Sequence, residues 1–74
     1  MEVVVYSKNG CSACEQAKML LKNKGIGVTV RNCDEDFDAY EFVIEKGHRS
    51  FPVIYTHDNV LFANSYKALV EKLS

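Results

Sequence analysis

Two cysteines separated by two residues, Cys11 and Cys14, are the side chains of this 74-residue chain best suited to chemistry. They follow a short apolar stretch and a turn, and they precede a segment with helical periodicity. Two thiols at the start of a helix can close into a disulfide and reopen, and the free N–H groups there stabilise a thiolate. The pair therefore predicts a dithiol redox site that exchanges disulfides.

The positions of the two cysteines on the predicted helix indicate different roles. Cys11 lies at the exposed helix start, and Lys8, three residues earlier, adds a positive charge that favours its thiolate. Cys14 lies one turn further along, on the apolar face, where a substrate has less access. We expect Cys11 to attack a substrate disulfide and Cys14 to resolve the mixed disulfide that forms.

The same spacing is also compatible with half of a zinc site. Such a site needs two further ligands at short spacing, and only Cys33, His48 and His57 remain, widely scattered. We therefore expect no bound metal. Cys33 is interpreted as a buried free cysteine and the two histidines as solvated loop residues.

The composition limits the classes of protein to consider. We expect residues 1–74 to form a single monomeric domain. The chain has a net charge of −1, without the excess of basic residues that is typical of a nucleic-acid binder. No apolar run is long enough to cross a membrane, and the N-terminus enters a strand rather than a secretory signal. Three cysteines, an odd number, argue against a secreted disulfide scaffold, so we expect a cytoplasmic protein.

Four apolar stretches are typical of strands. They cover residues 2–6, 26–32, 53–55 and 60–62. The continuous valines of the first stretch indicate a central strand covered on both faces. The polar turn at residues 56–59 predicts an antiparallel hairpin between the last two strands.

Three segments have helical periodicity. The first begins at Cys11 and ends at Gly25, and it buries Cys14, Ala17, Leu20 and Leu21 on one face. The second is opened by the acidic run 34–36, presents Phe37, Tyr40 and Ile44 to the core with Val43 alongside, and ends at Gly47. The third is capped by Ser65 and buries Tyr66, Leu69, Val70 and Leu73. The resulting order, βαβ-α-ββα, predicts an α/β fold with a four-stranded mixed sheet and helices on both faces.

Pro52, the only proline, directly precedes the third predicted strand. From the residues alone it is interpreted as a strand-starting residue with an ordinary trans bond. The proline, the CxxC pair after the first strand and the lysine three residues before Cys11 together resemble the glutaredoxins of the thioredoxin superfamily, over essentially the whole chain.

The resemblance implies a thioredoxin fold and thiol–disulfide oxidoreductase activity with glutathione as co-substrate. It implies that the Phe51–Pro52 bond is cis and faces the cysteines, and that the backbone of Phe51 pairs with the substrate. It also implies that Lys8 binds a carboxylate of glutathione. Asn64 and Ser65 occupy the positions that hold the γ-glutamyl end in this family, at the start of the last helix.

Some positions depart from the usual glutaredoxin pattern. Ser12-Ala13 stands between the cysteines in place of proline-tyrosine, and Asn64-Ser65-Tyr66 in place of two glycines and an acidic residue. The short chain and Tyr66-Lys67 also resemble the NrdH-type redoxins, which thioredoxin reductase reduces and which serve ribonucleotide reductase. Small phage glutaredoxins are equally compact. The reductant stays open, as does an alternative of another class, a module that holds an iron–sulfur cluster through Cys11 and glutathione.

Overall fold

A computed structural model describes all residues from Met1 to Ser74. Seven elements follow one another in the predicted order. They are β1 (Glu2–Ser7), α1 (Ser12–Asn23), β2 (Gly27–Asn32), α2 (Phe37–Glu45), β3 (Val53–Thr56), β4 (Leu61–Ala63) and α3 (Tyr66–Leu73). None of the three helices is both long and apolar enough to cross a membrane.

The strands form one mixed sheet in the order β2-β1-β3-β4. β1 pairs in parallel with β2 and antiparallel with β3, while β3 and β4 form the predicted antiparallel hairpin. β1 is therefore an interior strand, as its run of valines predicts. At its end Tyr6 pairs with Arg31 on one side and with Val53 on the other, so three strands meet at the same edge of the sheet.

Apolar side chains that alternate along the strands build a core on each face of the sheet. The core beneath α1 and α3 contains Val3, Val5, Ala17, Leu21, Ile54, Ala63 and Leu69. The core beneath α2 contains Tyr6, Cys33, Ala39, Val43, Val53 and Tyr55. The strand order and the helices on both faces of the sheet confirm the predicted α/β thioredoxin fold.

The first helix forms as its periodicity predicts. Cys14, Ala17 and Leu21 are fully buried on one face. Cys11 is the N-cap, and Gly25 follows the end of the helix with a φ of 75°, a left-handed conformation that glycine adopts without a Cβ clash. The helix therefore begins at the cysteine pair, which places that pair beyond the carboxyl end of β1.

The predicted buried face of α2 is wrong for Phe37, Tyr40 and Ile44 and correct for Val43. Phe37, Tyr40 and Ile44 are between 46% and 68% exposed, whereas Ala39 and Val43 are fully buried. Both sets fit the helical period, so periodicity alone does not choose between them. Aromatic rings of the sheet fill much of this core, and the small side chains of Ala39 and Val43 let the helix approach them closely.

The sequence predicts that the acidic run 34–36 opens α2, but only its last residue does so. Asp34 and Glu35 lie in a turn, and only Asp36 caps the helix, where its side chain accepts a hydrogen bond of 3.2 Å from the N–H of Ala39. The other carboxylate oxygen pairs with Arg31 at 3.1 Å. Both bonds hold the pKa of Asp36 below its ordinary value. The bond from the Ala39 N–H contributes most, and the bond from Arg31 contributes next.

Candidate active site

The structure brings the two cysteines of the CxxC pair together in a disulfide. Cys11 has an extended backbone, with φ −99° and ψ 100°, and its Cα lies 5.2 Å from that of Cys14. The N–H of Cys14 donates a hydrogen bond of 3.2 Å to Sγ of Cys11. Cys11 is half-buried and Cys14 is fully buried, so the two sulfur atoms differ in access as the sequence predicts.

Two hydrogen bonds tie the loop between β1 and α1 to the end of β2 and the turn after it, and a third joins their partners to each other. The N–H of Asn9 donates to Oδ2 of Asp34 at 2.9 Å, and Nδ2 of Asn32 donates to Oδ1 of Asn9 at 2.8 Å. Oδ1 of Asn32 accepts from the N–H of Asp34 at 2.8 Å. This asparagine–aspartate network was not predicted, although an Asn side chain that bonds the backbone N–H two residues later is a known turn-forming feature.

The cis-proline segment lies at the same edge of the sheet as the cysteine loop. The Phe51–Pro52 peptide bond is cis, as the family resemblance implies, and Pro52 is fully buried. Because Tyr6 pairs with Val53, residues 51–52 continue alongside the end of β1. Nζ of Lys8 lies 5.9 Å from the centroid of the Phe51 ring, a cation–π contact that links the two segments.

The remaining predicted binding residues lie at the start of α3. The hydroxyl of Ser65 accepts a hydrogen bond of 3.0 Å from the N–H of Ala68, so it caps the helix as predicted. Asn64 is exposed. Neither residue lines the hollow of about 380 Å³ beside Cys11, which lies between α1 and β2.

Cys33, His48 and His57 are the candidates for a further thiol or a metal ligand, and His57 is exposed in the turn between β3 and β4. Cys33 is free and buried, and burial raises the pKa of its thiol. His48 was predicted to be a solvated loop residue. It is instead partly buried, and its Nε2 forms a hydrogen bond of 2.8 Å with the hydroxyl of Tyr55. No group of three or more His, Cys, Asp and Glu side chains is placed to hold a metal ion.

The geometry of the pair supports disulfide exchange. A sulfur at an N-cap position faces the positive end of the helix dipole and a nearby N–H donor, and both stabilise negative charge. The second sulfur lies within bonding reach of the first but is covered by protein. One sulfur therefore lies half-buried at the helix start, and the other is covered by protein within bonding distance of it.

Comparison with known sequences identifies relatives of this chain. The family model for glutaredoxin matches residues 3–61. The glutaredoxin-like protein NrdH of Escherichia coli K12 is 29% identical over 58 residues, which are 78% of this chain and 72% of that protein. A glutaredoxin-like protein of Encephalitozoon cuniculi is 28% identical over 67 residues, covering 90% of this chain and 51% of that protein.

Solved structures agree with these sequence matches. The NrdH-redoxin of Escherichia coli, described as having a thioredoxin-like activity profile, superposes with a TM-score of 0.71 at 29% identity, covering 78% of this chain and 76% of that one. The holo form of glutaredoxin C1 from Populus tremula x tremuloides gives a TM-score of 0.78 at 27% identity, covering 96% and 66%. Since the family model spans most of the chain and the fold agrees with it, this protein belongs to the glutaredoxin family.

Proposed function

We propose that this protein reduces disulfides in partner proteins, with Cys11 as the nucleophile and Cys14 as the resolving thiol. Thiol–disulfide oxidoreduction is the activity of the family to which the chain belongs. The assignment of roles rests on one observation: Cys11 caps α1 and is half-buried, whereas Cys14 is fully buried one turn later.

The proposed reaction takes two exchange steps. The Cys11 thiolate attacks one sulfur of the substrate disulfide, forms a mixed disulfide and releases the other sulfur as a thiolate. The Cys14 thiol then loses its proton and attacks Sγ of Cys11, which releases the second substrate thiolate. The substrate gains two electrons, and the protein is left with the Cys11–Cys14 disulfide seen in the structure.

The surrounding residues support this mechanism. The N–H of Cys14, 3.2 Å from Sγ of Cys11, and the positive end of α1 stabilise the attacking thiolate. Lys8 adds a positive charge on the loop before Cys11 and contacts Phe51. We place the residues next to the substrate disulfide against the backbone of Phe51 and Pro52, at the edge of the sheet where the cysteine loop also lies.

The oxidised protein must be reduced again, and we propose thioredoxin reductase as its electron donor. Relatives named NrdH, one of them with a thioredoxin-like activity profile, support this choice. The start of α3 supports it as well, because Ser65 uses its hydroxyl to cap the helix and Tyr66 and Lys67 follow in place of an acidic residue. By the resemblance to NrdH-type redoxins, ribonucleotide reductase is the proposed electron acceptor.

Glutathione is the competing electron donor. Lys8 and the N-terminus of α3, with Asn64 and Ser65, are the groups that would hold its two carboxylates. In that case the protein would also reduce glutathione mixed disulfides. A cluster carrier that uses Cys11 and glutathione would share this binding site.

Coupled assays with NADPH distinguish these functions. One mixture contains glutathione and glutathione reductase, the other contains thioredoxin reductase, and both contain a protein disulfide as acceptor. We expect NADPH oxidation in the second mixture and its loss in Cys11→Ser. NADPH oxidation only with glutathione would overturn the proposed reductant, and no oxidation in either mixture would overturn the function.

The roles of the two cysteines are tested separately. Cys14→Ser should accumulate a mixed disulfide with the substrate at Cys11, which mass spectrometry locates. Cys33→Ser is the matched control and should keep full turnover. A mixed disulfide located mainly at Cys33 would contradict the assignment, and visible absorbance of the protein as isolated would favour the cluster carrier.

A further inference from the structure

The outer edge of β2 is unpaired. β2 is a terminal strand of the sheet, and its inner side pairs with β1. The N–H of Gly27 donates to the carbonyl of Met1, and that of Cys33 donates to the carbonyl of Ser7. Because successive residues of a strand point their main-chain groups to opposite sides, the N–H and C=O groups of Val28 and Val30 point away from β1.

The middle of this edge lacks the features by which proteins usually block a terminal strand. Val28, Thr29 and Val30 include no proline and no charged side chain, and the charged residue of β2, Arg31, is paired with Asp36. The other edge strand, β4, has only three residues, and its pairing with β3 is interrupted by a register shift. An open edge is a template for pairing with another extended chain.

A groove runs beside this edge and leads to Cys11. It consists of two adjoining hollows between α1 and β2, of about 380 Å³ and 320 Å³, which share Glu15, Lys18 and Val30. The first hollow is lined by Cys11 itself. A chain bound along the edge of β2 would therefore extend toward Cys11.

The groove combines apolar side chains with a basic border. Val28, Val30 and the exposed Met19 supply the apolar contacts. The lining also includes Lys8, Lys18 and Lys22, against a single acidic residue, Glu15, which pairs with Lys18. Apolar and acidic side chains that alternate along an extended partner would match this surface.

We infer that the edge of β2 and this groove bind an extended acidic segment of the substrate protein, which adds as a fifth strand. The residues next to the substrate disulfide still lie against Phe51 and Pro52, so the acidic segment is a second contact of the same substrate. The inference rests on the proposed function and names the substrate class for the same site. A second copy of this chain fits less well, because the groove beside each β2 edge carries Lys18 and Lys22, so pairing two edges would place two basic surfaces side by side.

A kinetic experiment tests the charge preference. The substrate is a short peptide of alternating valine and aspartate whose cysteine, at either end, carries a chromogenic aryl thiol as a mixed disulfide. Reduced protein releases the aryl thiol and the peptide thiol, and its own cysteines are oxidised to the disulfide. We expect Lys22→Glu to lower the second-order rate constant about fivefold at low salt.

The matched control is Lys46→Glu, which reverses a charge at the end of α2, on the other face of the sheet. It should leave the rate with the peptide unchanged. Both variants should reduce hydroxyethyl disulfide, a small uncharged substrate, as the wild type does. No reduction of this small substrate by the wild type would refute the proposed function itself. Normal reduction of it, with equal peptide rates in Lys22→Glu and wild type, would overturn only the inference.

A binding experiment tests the pairing with the strand. Oxidised wild-type protein is mixed with the same peptide carrying serine in place of cysteine, and amide hydrogen exchange is followed by NMR. We expect exchange at Val28 and Val30 to slow by about tenfold or more, and exchange at Leu61 on the other edge to stay the same. Protection at Leu61 instead would overturn the inference. Protection of Val28 and Val30 without peptide, together with a dimer in sedimentation, would do so as well.

Discussion

The side-chain amide of Asn32, at the end of β2, donates a hydrogen bond of 2.8 Å to the side-chain oxygen of Asn9, in the loop that leads to Cys11. Asp34 completes the contact, since its carboxylate accepts from the N–H of Asn9 and its own N–H donates to Asn32. The loop before the cysteine pair is therefore held by residues more than 20 positions away in the sequence.

Removing this contact should destabilise the fold. Asn32→Ala loses both side-chain hydrogen bonds of Asn32, and because the site is partly exposed we expect a loss of about 1 kcal/mol in the free energy of unfolding. Urea denaturation monitored by circular dichroism measures it. Asn23→Ala, the same change at the exposed end of α1, is the control. Equal stabilities of the two variants would contradict the stabilising role of the network.

Burial of Cys33 predicts the order in which the thiols of the reduced protein are alkylated. Burial raises the pKa of the Cys33 thiol above its ordinary value of 9.0, so little reactive thiolate forms there near neutral pH. We expect iodoacetamide to modify Cys11 first and Cys33 last, as followed by peptide mass spectrometry over time. In unfolded protein the difference should disappear. Early labelling of Cys33 in the folded protein would disprove this order.

The lowered pKa of Asp36 predicts how stability depends on pH. A carboxyl whose pKa is lower in the folded state stabilises the protein above its unfolded pKa, ordinarily 3.8, and this contribution is lost as the pH falls through the folded pKa. Asp36→Asn keeps a capping oxygen but removes the ion pair with Arg31. The variant should therefore be less stable than the wild type at neutral pH, and the difference should shrink in acid.

Urea midpoints of both proteins at about pH 7 and about pH 3 measure this difference. Asp58→Asn, in the exposed β3–β4 turn, makes the same chemical change away from Arg31 and serves as the control. If the wild type and Asp36→Asn differ equally at both pH values, the carboxylate charge does not stabilise the fold.

Neighbouring residues of α2 test which face of the helix is buried. Val43 is fully buried and Ile44 is 47% exposed. We expect Val43→Ala to lower the free energy of unfolding by about 2 kcal/mol, because it leaves a cavity in the core. Ile44→Ala should change it by less than about 0.5 kcal/mol, as surface substitutions usually do. The reverse order would show that the face with Phe37, Tyr40 and Ile44 is the buried one.

Local features account for what could be predicted. The order of the elements, the burial of Cys14 and the helix caps at Cys11 and Ser65 depend on residues within one or two turns of each other. Periodicity and capping act over that distance, so the sequence pattern is sufficient. The cis bond before Pro52 was expected only from the family resemblance, since base rates for a lone proline favour trans.

The sequence by itself determined the fold class and the asymmetry of the CxxC pair, because both follow from local periodicity and from the position of each cysteine at a helix start. The tertiary structure alone decided which stripe of α2 is buried, which side chains hold the cysteine loop, and that the groove at Cys11 lies against the open edge of β2. These features depend on contacts between distant segments, and a pattern within one segment does not specify its partner.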